Sequence, residues 1–263
     1  MELLDAIILG IVQGLTEFLP VSSSGHLELV KALLGTEGMP EEQLAFTVML
    51  HFATALSTLV IFRKEVFDIF MGLGNRKDAT ARHFSAKILI SMIPAVYIGL
   101  NFDSLLEQLF SGKIMLVGSM LLLTAGLLFV SERTKQSQAE ISYIKALFIG
   151  MAQGVAILPG ISRSGATIAT ALLLQIDKEK AARFSFLMVI PLILGKVAKD
   201  FLSGEVHFDT ENTAALILGF IAAFISGLLA CRLMLRLVKN SKLYIFALYC
   251  ALVGGAAILL SIL

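Results

Sequence analysis

Two stretches of this chain, residues 10–26 and 150–166, are near copies of each other, and each interrupts an apolar segment. Aligned without gaps, Gly10 matches Gly150, Gln13 matches Gln153 and Gly14 matches Gly154. Further on, Ser22, Ser24 and Gly25 match Ser162, Ser164 and Gly165. Each copy reads as an apolar helix, then a proline (Pro20 or Pro159), then a Ser/Gly cluster. Proline lacks the backbone donor that continues a helix, so each segment breaks there. In a membrane chain, interrupted hydrophobic segments at matching places in two halves point to a binding site between the halves. Ser/Gly clusters also serve close helix packing. Here, though, one copy has gained Arg163 and the other Glu17 and His26, which packing does not require.

The membrane setting follows from composition. Hydrophobic residues make up 57% of the 263-residue chain and the mean hydropathy is +0.87, against roughly 45–50% apolar residues in soluble domains. Apolar runs long enough to cross a bilayer recur along the chain. They predict an all-α polytopic protein forming a single integral domain over residues 1–263, with spans near 44–63, 86–102, 113–131, 183–200, 213–236 and 243–262. The segments 1–34 and 142–175 remain, each broken in the middle. A broken helix at membrane depth needs protein or a water cavity to satisfy its freed backbone groups, so both are expected to be re-entrant helical hairpins. The first is not read as a secretory signal, because Glu2 and Asp5 stand where a basic region belongs. Cys231 and Cys250 lie in apolar spans and read as packing residues. The net charge of +1 gives no reason to expect nucleic acid as a partner.

Loop charge orients the spans. Arg63, Lys64, Arg76, Lys77 and Arg82 fall in one connection; Arg133, Lys135 and Lys145 precede the second broken segment. Lys178, Lys180 and Arg183 follow it, and Arg236, Lys239 and Lys242 join the last two spans. The connections 35–43, 103–112 and 201–212 hold no Lys or Arg but several carboxylates. The positive-inside rule puts the basic set in the cytoplasm. The broken segments then enter from opposite sides, giving an inverted-topology repeat of residues 1–131 and 142–263.

The chemistry of the two breaks favours phosphate. A new helix starts after each, with unpaired N–H groups and the positive end of the helix dipole. Two such starts facing one cavity form an anion site. Ser22, Ser24, Ser162, Ser164 and Thr167 offer hydroxyls there, and Gly160 offers backbone. Arg163 adds a planar fork for bidentate phosphate binding. Gln13 and Glu17, four apart on one helical face, could hold Mg²⁺ or Ca²⁺ beside diphosphate oxygens. Ser23 and His26, three apart, have the spacing of a nucleophile and its base. His51 reads as a span-end histidine bonded to backbone. Lys196 and Lys199 read as snorkelling to the interface, although Lys196 follows Pro191 and Gly195, where a break would turn it to the cavity.

These residues resemble the undecaprenyl-diphosphate phosphatases of the BacA type, the bacitracin-resistance family. The resemblance rests on Gln13-Gly14-Leu15-Thr16-Glu17, on Phe18-Leu19-Pro20-Val21-Ser22-Ser23-Ser24-Gly25-His26 and on Pro159-Gly160-Ile161-Ser162-Arg163-Ser164-Gly165-Ala166-Thr167. Leu50-His51-Phe52-Ala53-Thr54 and Phe184-Ser185-Phe186-Leu187-Met188-Val189-Ile190-Pro191 extend it over nearly the full length. It implies hydrolysis of undecaprenyl diphosphate to undecaprenyl phosphate and inorganic phosphate at the outer face of the bacterial inner membrane. That reaction recycles the lipid carrier of cell-wall synthesis, and it requires a divalent cation. The resemblance makes Glu17, His26 and Arg163 essential and Ser23 the nucleophile, with Glu17 and Gln13 at the metal. Many members carry Glu where this chain has Gln13, so catalysis is assigned to Glu17. Ser23, His26 and water all remain open as the attacking group. A homodimer is compatible with this reading. The rival is a lipid-phosphate transporter, which needs the anion site but no nucleophile.

Overall fold

The computed structural model describes residues 2–35, 40–74, 79–102, 113–134, 139–202, 213–239 and 243–262. Within them the chain forms eleven α-helices. The first helix pair is α1 (Leu3–Phe18) and α2 (Ser23–Leu34), followed by α3 (Pro40–Ile61), α4 (Arg63–Gly74), α5 (Ala79–Asn101) and α6 (Ile114–Glu132). The second pair is α7 (Tyr143–Val155) and α8 (Arg163–Leu173), followed by α9 (Lys178–Leu202), α10 (Thr213–Lys239) and α11 (Leu243–Ile262). Six of these helices, α3, α5, α6, α9, α10 and α11, are long and apolar enough to cross a membrane. The acidic connections used for orientation lie outside the described residues, apart from Gly35, residues 40–43 at the start of α3, whose side chains are not described, and residues 201–202 at the end of α9.

Three expectations shift. Helices α5 and α9 begin several residues before the apolar runs that revealed them, because a helix continues past the point where its side chains turn polar. The connection after α3 contains α4, whose Phe67, Phe70 and Met71 are exposed. The break expected around Pro191 and Gly195 is absent, since α9 runs through both. Membrane helices tolerate such prolines where neighbouring groups meet the freed carbonyl.

Helix α1 packs along α10, and α7 packs along α5. The duplicated glycines permit both contacts. A Cβ at Gly10 would collide with the Gly219 carbonyl on α10, and a Cβ at Gly150 with the Ser91 carbonyl on α5. In membranes, small residues let backbones approach this closely. Helix α3 packs on α10 and α9, α5 on α9, and α6 on α11. The largest buried cluster lies under the first break, where Phe18 meets Phe186 edge-on at 5.8 Å between ring centroids. Val21 packs on Val117, Leu121 and Cys250, so α6 and α11 hold the first turn in place.

Candidate functional site

Both helix pairs break as the sequence anticipates, and both restart with a serine cap. Ser22 Oγ accepts from the Gly25 N–H at 3.2 Å, and Ser162 Oγ accepts from the Gly165 N–H at 3.0 Å. A capping oxygen satisfies one of the unpaired donors of the first turn. Each cap also lies beside the next serine, Ser22 with Ser24 at 3.4 Å and Ser162 with Ser164 at 3.3 Å. Thr124 of α6 fixes the second turn: its Oγ1 donates to the Gly160 carbonyl at 3.3 Å and accepts from the Ser162 N–H at 3.1 Å. Gly160 has φ of 93°, and a Cβ there would meet the Val117 carbonyl, so both conformation and space select glycine.

The two turns touch. Ser164 Oγ donates to the Leu19 carbonyl at 3.2 Å. An ideal Cβ on Gly25 would lie 3.1 Å from Gly160 Cα, and one on Gly165 would lie 3.3 Å from Pro20 Cβ. Where they meet, Arg163 Nη2 forms an ion pair with Glu17 Oε1. The other carboxylate oxygen of Glu17 accepts from Ser23 Oγ at 2.7 Å and from Gln13 Nε2 at 3.0 Å. His51 Nε2 stands 4.0 Å from that same oxygen. One buried carboxylate therefore gathers groups from α1, α2, α3 and α8. A buried charge is tolerable when paired and hydrogen-bonded in this way.

Two polar atoms beside Glu17 have no partner and are fully buried: Gln13 Oε1, an acceptor, and Arg163 Nη1, a donor. Buried polar groups are nearly always satisfied in folded proteins. The open acceptor suits a cation and the open donor suits an anion. A cavity of about 190 Å³ adjoins Glu17 and Arg163, lined also by Thr16, Ser23, Ser24, His51, Ser162 and Lys196 together with apolar side chains of the second turn and α9; Gln13 stands behind Glu17, outside the lining. This cavity is smaller than the roughly 300–1,000 Å³ of sites that engulf a whole ligand. It fits a headgroup, with any long apolar tail left outside.

Other expected residues lie around this centre. Thr167 is fully buried, donates to the Arg163 and Ser164 carbonyls and pairs with Ser185 Oγ at 2.6 Å. Ser22, Ser164 and Gly160 shape the turns behind the cavity wall. His26 does not reach Ser23. Its Nδ1 lies 2.8 Å from the Ser22 carbonyl, its Nε2 lies 2.8 Å from Tyr249 Oη, and its ring stacks on Tyr249 at 5.5 Å. His51, expected to be bonded to backbone, does bond the Thr47 carbonyl at 2.9 Å and also faces Glu17. Thr124 and Tyr249 drew no expectation, and Ser185 none beyond its place in the resembling segment 184–191, because single polar residues in apolar spans give no periodic signal. No group of three or more His, Cys, Asp or Glu side chains is assembled among the described residues, so Glu17 and the neutral oxygens of Gln13 and Ser23 are the donors at hand.

A family model described as bacitracin resistance protein BacA matches residues 6–256. A protein of Christiangramia forsetii named undecaprenyl-diphosphatase is 60% identical over 259 residues, covering 98% of each chain. Another of that name from Bacteroides fragilis is 52% identical over 265 residues, covering 99% of each. A third, from Korarchaeum cryptofilum, is 37% identical over 265 residues.

Proposed function

Because the chain belongs to the bacitracin resistance protein BacA family, we infer that it is an undecaprenyl-diphosphatase, a membrane hydrolase that converts undecaprenyl diphosphate to undecaprenyl phosphate and inorganic phosphate. The observation that carries the reading is the meeting of the two turns. Arg163 from one and Ser23 from the other are bonded to the same buried Glu17 carboxylate at the wall of a headgroup-sized cavity.

The membrane arrangement we propose is an inverted repeat, each half containing a re-entrant hairpin and three spans. The packing supports it: exchanging the two halves turns the contact of α1 with α10 into that of α7 with α5, and the contact of α3 with α10 into that of α9 with α5, and all four are present. With basic loops in the cytoplasm, Lys196 lies toward the outer end of α9. The cavity that it lines opens to the outer face of the inner membrane.

The terminal phosphate enters beside Arg163, whose free Nη1 donates to a phosphate oxygen. The N–H groups at the starts of α2 and α8 and the hydroxyls of Ser24 and Ser162 complete the cradle. Ser23 Oγ attacks the terminal phosphorus, and its proton passes to Glu17, the acceptor already bonded to it. The bond from phosphorus to the bridging oxygen breaks, undecaprenyl phosphate leaves, and water then hydrolyses the phosphoserine. His26 holds the first turn against α11 through Tyr249 and keeps Ser23 in line. Positioning and charge stabilisation carry most of phosphoryl transfer. Glu17 and Gln13 Oε1 would hold a divalent cation, Mg²⁺ or Ca²⁺, whose charge offsets that of the phosphate oxygens. The orphaned Gln13 oxygen supports that assignment.

Purified protein supplied with undecaprenyl diphosphate tests the reading. It should release inorganic phosphate, stop when a chelator is added, and yield phosphoserine at Ser23 when quenched during turnover. Binding of the lipid without release would favour a carrier, and label on another side chain would remove Ser23 as nucleophile.

A further inference from the structure

One face of α9 supplies Val189, Leu192, Ile193 and Lys196 to the cavity. Their spacing of three and four residues puts them on one side of a helix. The first three are apolar, whereas Lys196 ends the row with a side chain 64% exposed. Its Nζ lies 2.9 Å from Asp200 Oδ2, and that carboxylate is only 2% exposed. Asp200 does not line the cavity, whereas Arg163 and Glu17 both do and offset each other there. The ammonium of Lys196 is therefore the cationic group at the rim, held by Asp200 from outside the cavity lining.

The depth of the lining residues sets the order of the headgroup. Ser162 and Glu17 are 1% and 7% exposed and form the floor. A terminal phosphate attacked by Ser23 sits against that floor, and the next phosphate, which carries the apolar tail, faces the rim. Resting on the phosphatase reading, we propose that Lys196 binds the inner, lipid-linked phosphate and is a substrate-binding residue of this enzyme. An ammonium has three donors, so Lys196 keeps Asp200 on one side and donates to a headgroup carrying several negative charges on the other. The contact is present in the bound substrate and retained in undecaprenyl phosphate, since both keep the inner phosphate. It therefore acts on binding rather than on the chemical step.

Steady-state phosphate release by the full-length purified protein reads this directly. Lys196→Gln should raise KM for undecaprenyl diphosphate about tenfold, the effect of one lost charge-assisted hydrogen bond, and leave kcat nearly unchanged. Inhibition by undecaprenyl phosphate should weaken by the same factor. Lys196→Arg should restore both values. The double variant Lys196→Gln/Asp200→Asn should match Lys196→Gln, which separates loss of the cation from any change at Asp200. Lys180→Gln, on the same helix but paired with Glu140, should leave KM unaltered. An active wild type with KM unchanged in Lys196→Gln, or raised equally in Lys180→Gln, would overturn the assignment and return Lys196 to a snorkelling role. A wild type that releases no phosphate would overturn the phosphatase reading itself.

Discussion

The first hairpin takes its left-handed residue at Ser22, with φ of 71°, and the second at Gly160, with φ of 93°. In the alignment of the two copies, Gly160 stands opposite Pro20. A proline holds φ near about −65°, so the first hairpin cannot reverse where the second does. The positive φ falls two residues later, on a serine that caps α2 and precedes Ser23. Non-glycine residues rarely adopt that conformation, and where they do the strain tends to sit at functional sites. The comparison extends to charge. Glu17 aligns with Ile157, so Gln13 has a carboxylate partner and Gln153 has none, although both are buried. Ser23 aligns with Arg163. One skeleton thus supplies the carboxylate and its bonded serine from one copy and the guanidinium from the other. Duplication kept the caps and glycine contacts, which any such hairpin needs, and let the reacting side chains diverge.

Substitutions at matched positions can break this comparison. The largest effect should come from Arg163→Lys, which keeps the charge but loses the fork that reaches both Glu17 and phosphate. Phosphate release should fall roughly 10²–10³-fold while the protein still inserts and purifies; near-normal turnover would remove Arg163 from the site. Gly160→Ala should lower stability by about 3 kcal/mol, from a positive φ and a clash with the Val117 carbonyl. Pro20→Ala opposite it should cost far less in the same thermal unfolding series in detergent. Gln153→Met should be neutral or stabilising by about 1 kcal/mol, since it removes an unsatisfied buried amide. Gln13→Met, by contrast, should reduce activity and weaken dependence on the divalent cation. The smallest difference should be at the caps. Ser22→Gly relieves strain as it loses a cap and should change stability by less than about 0.5 kcal/mol, whereas Ser162→Gly only loses the cap. Equal costs at both sites would mean that the φ of 71° at Ser22 stores no strain.

The spans were legible because a bilayer demands about 20 apolar residues in a row. The two breaks were legible because proline and a capping serine act within a few residues of themselves. Joining Glu17, Ser23 and Arg163 needed only the expectation that the two duplicated breaks meet. What escaped depends on helix rotation and on partners far away in sequence. Ser23 and His26 share the spacing of a catalytic pair, yet His26 turns to Tyr249, and no pattern around residue 249 marks it as a histidine partner. His51 bonds backbone as expected, but the rotation of α3 also aims it at Glu17. The Pro191 and Gly195 positions looked like a break because local propensity disfavours helix there; packing of α9 against α3 and α8 overrides it.

Contact between the two hairpin tips is the claim on which the site depends, and a cross-link measures it most directly. In a Cys231→Ala/Cys250→Ala background, Pro20→Cys and Gly165→Cys place sulfurs on β-carbons about 3.3 Å apart, close to the roughly 3.5–4.5 Å of a disulfide. Mild oxidation in membranes should close that bond in most molecules, while Pro20→Cys paired with Leu248→Cys, which faces outward from α11 at 60% exposure, should stay reduced. If the 20–165 pair cross-links no faster than this control, the tips do not share a chamber and the proposed active site does not exist.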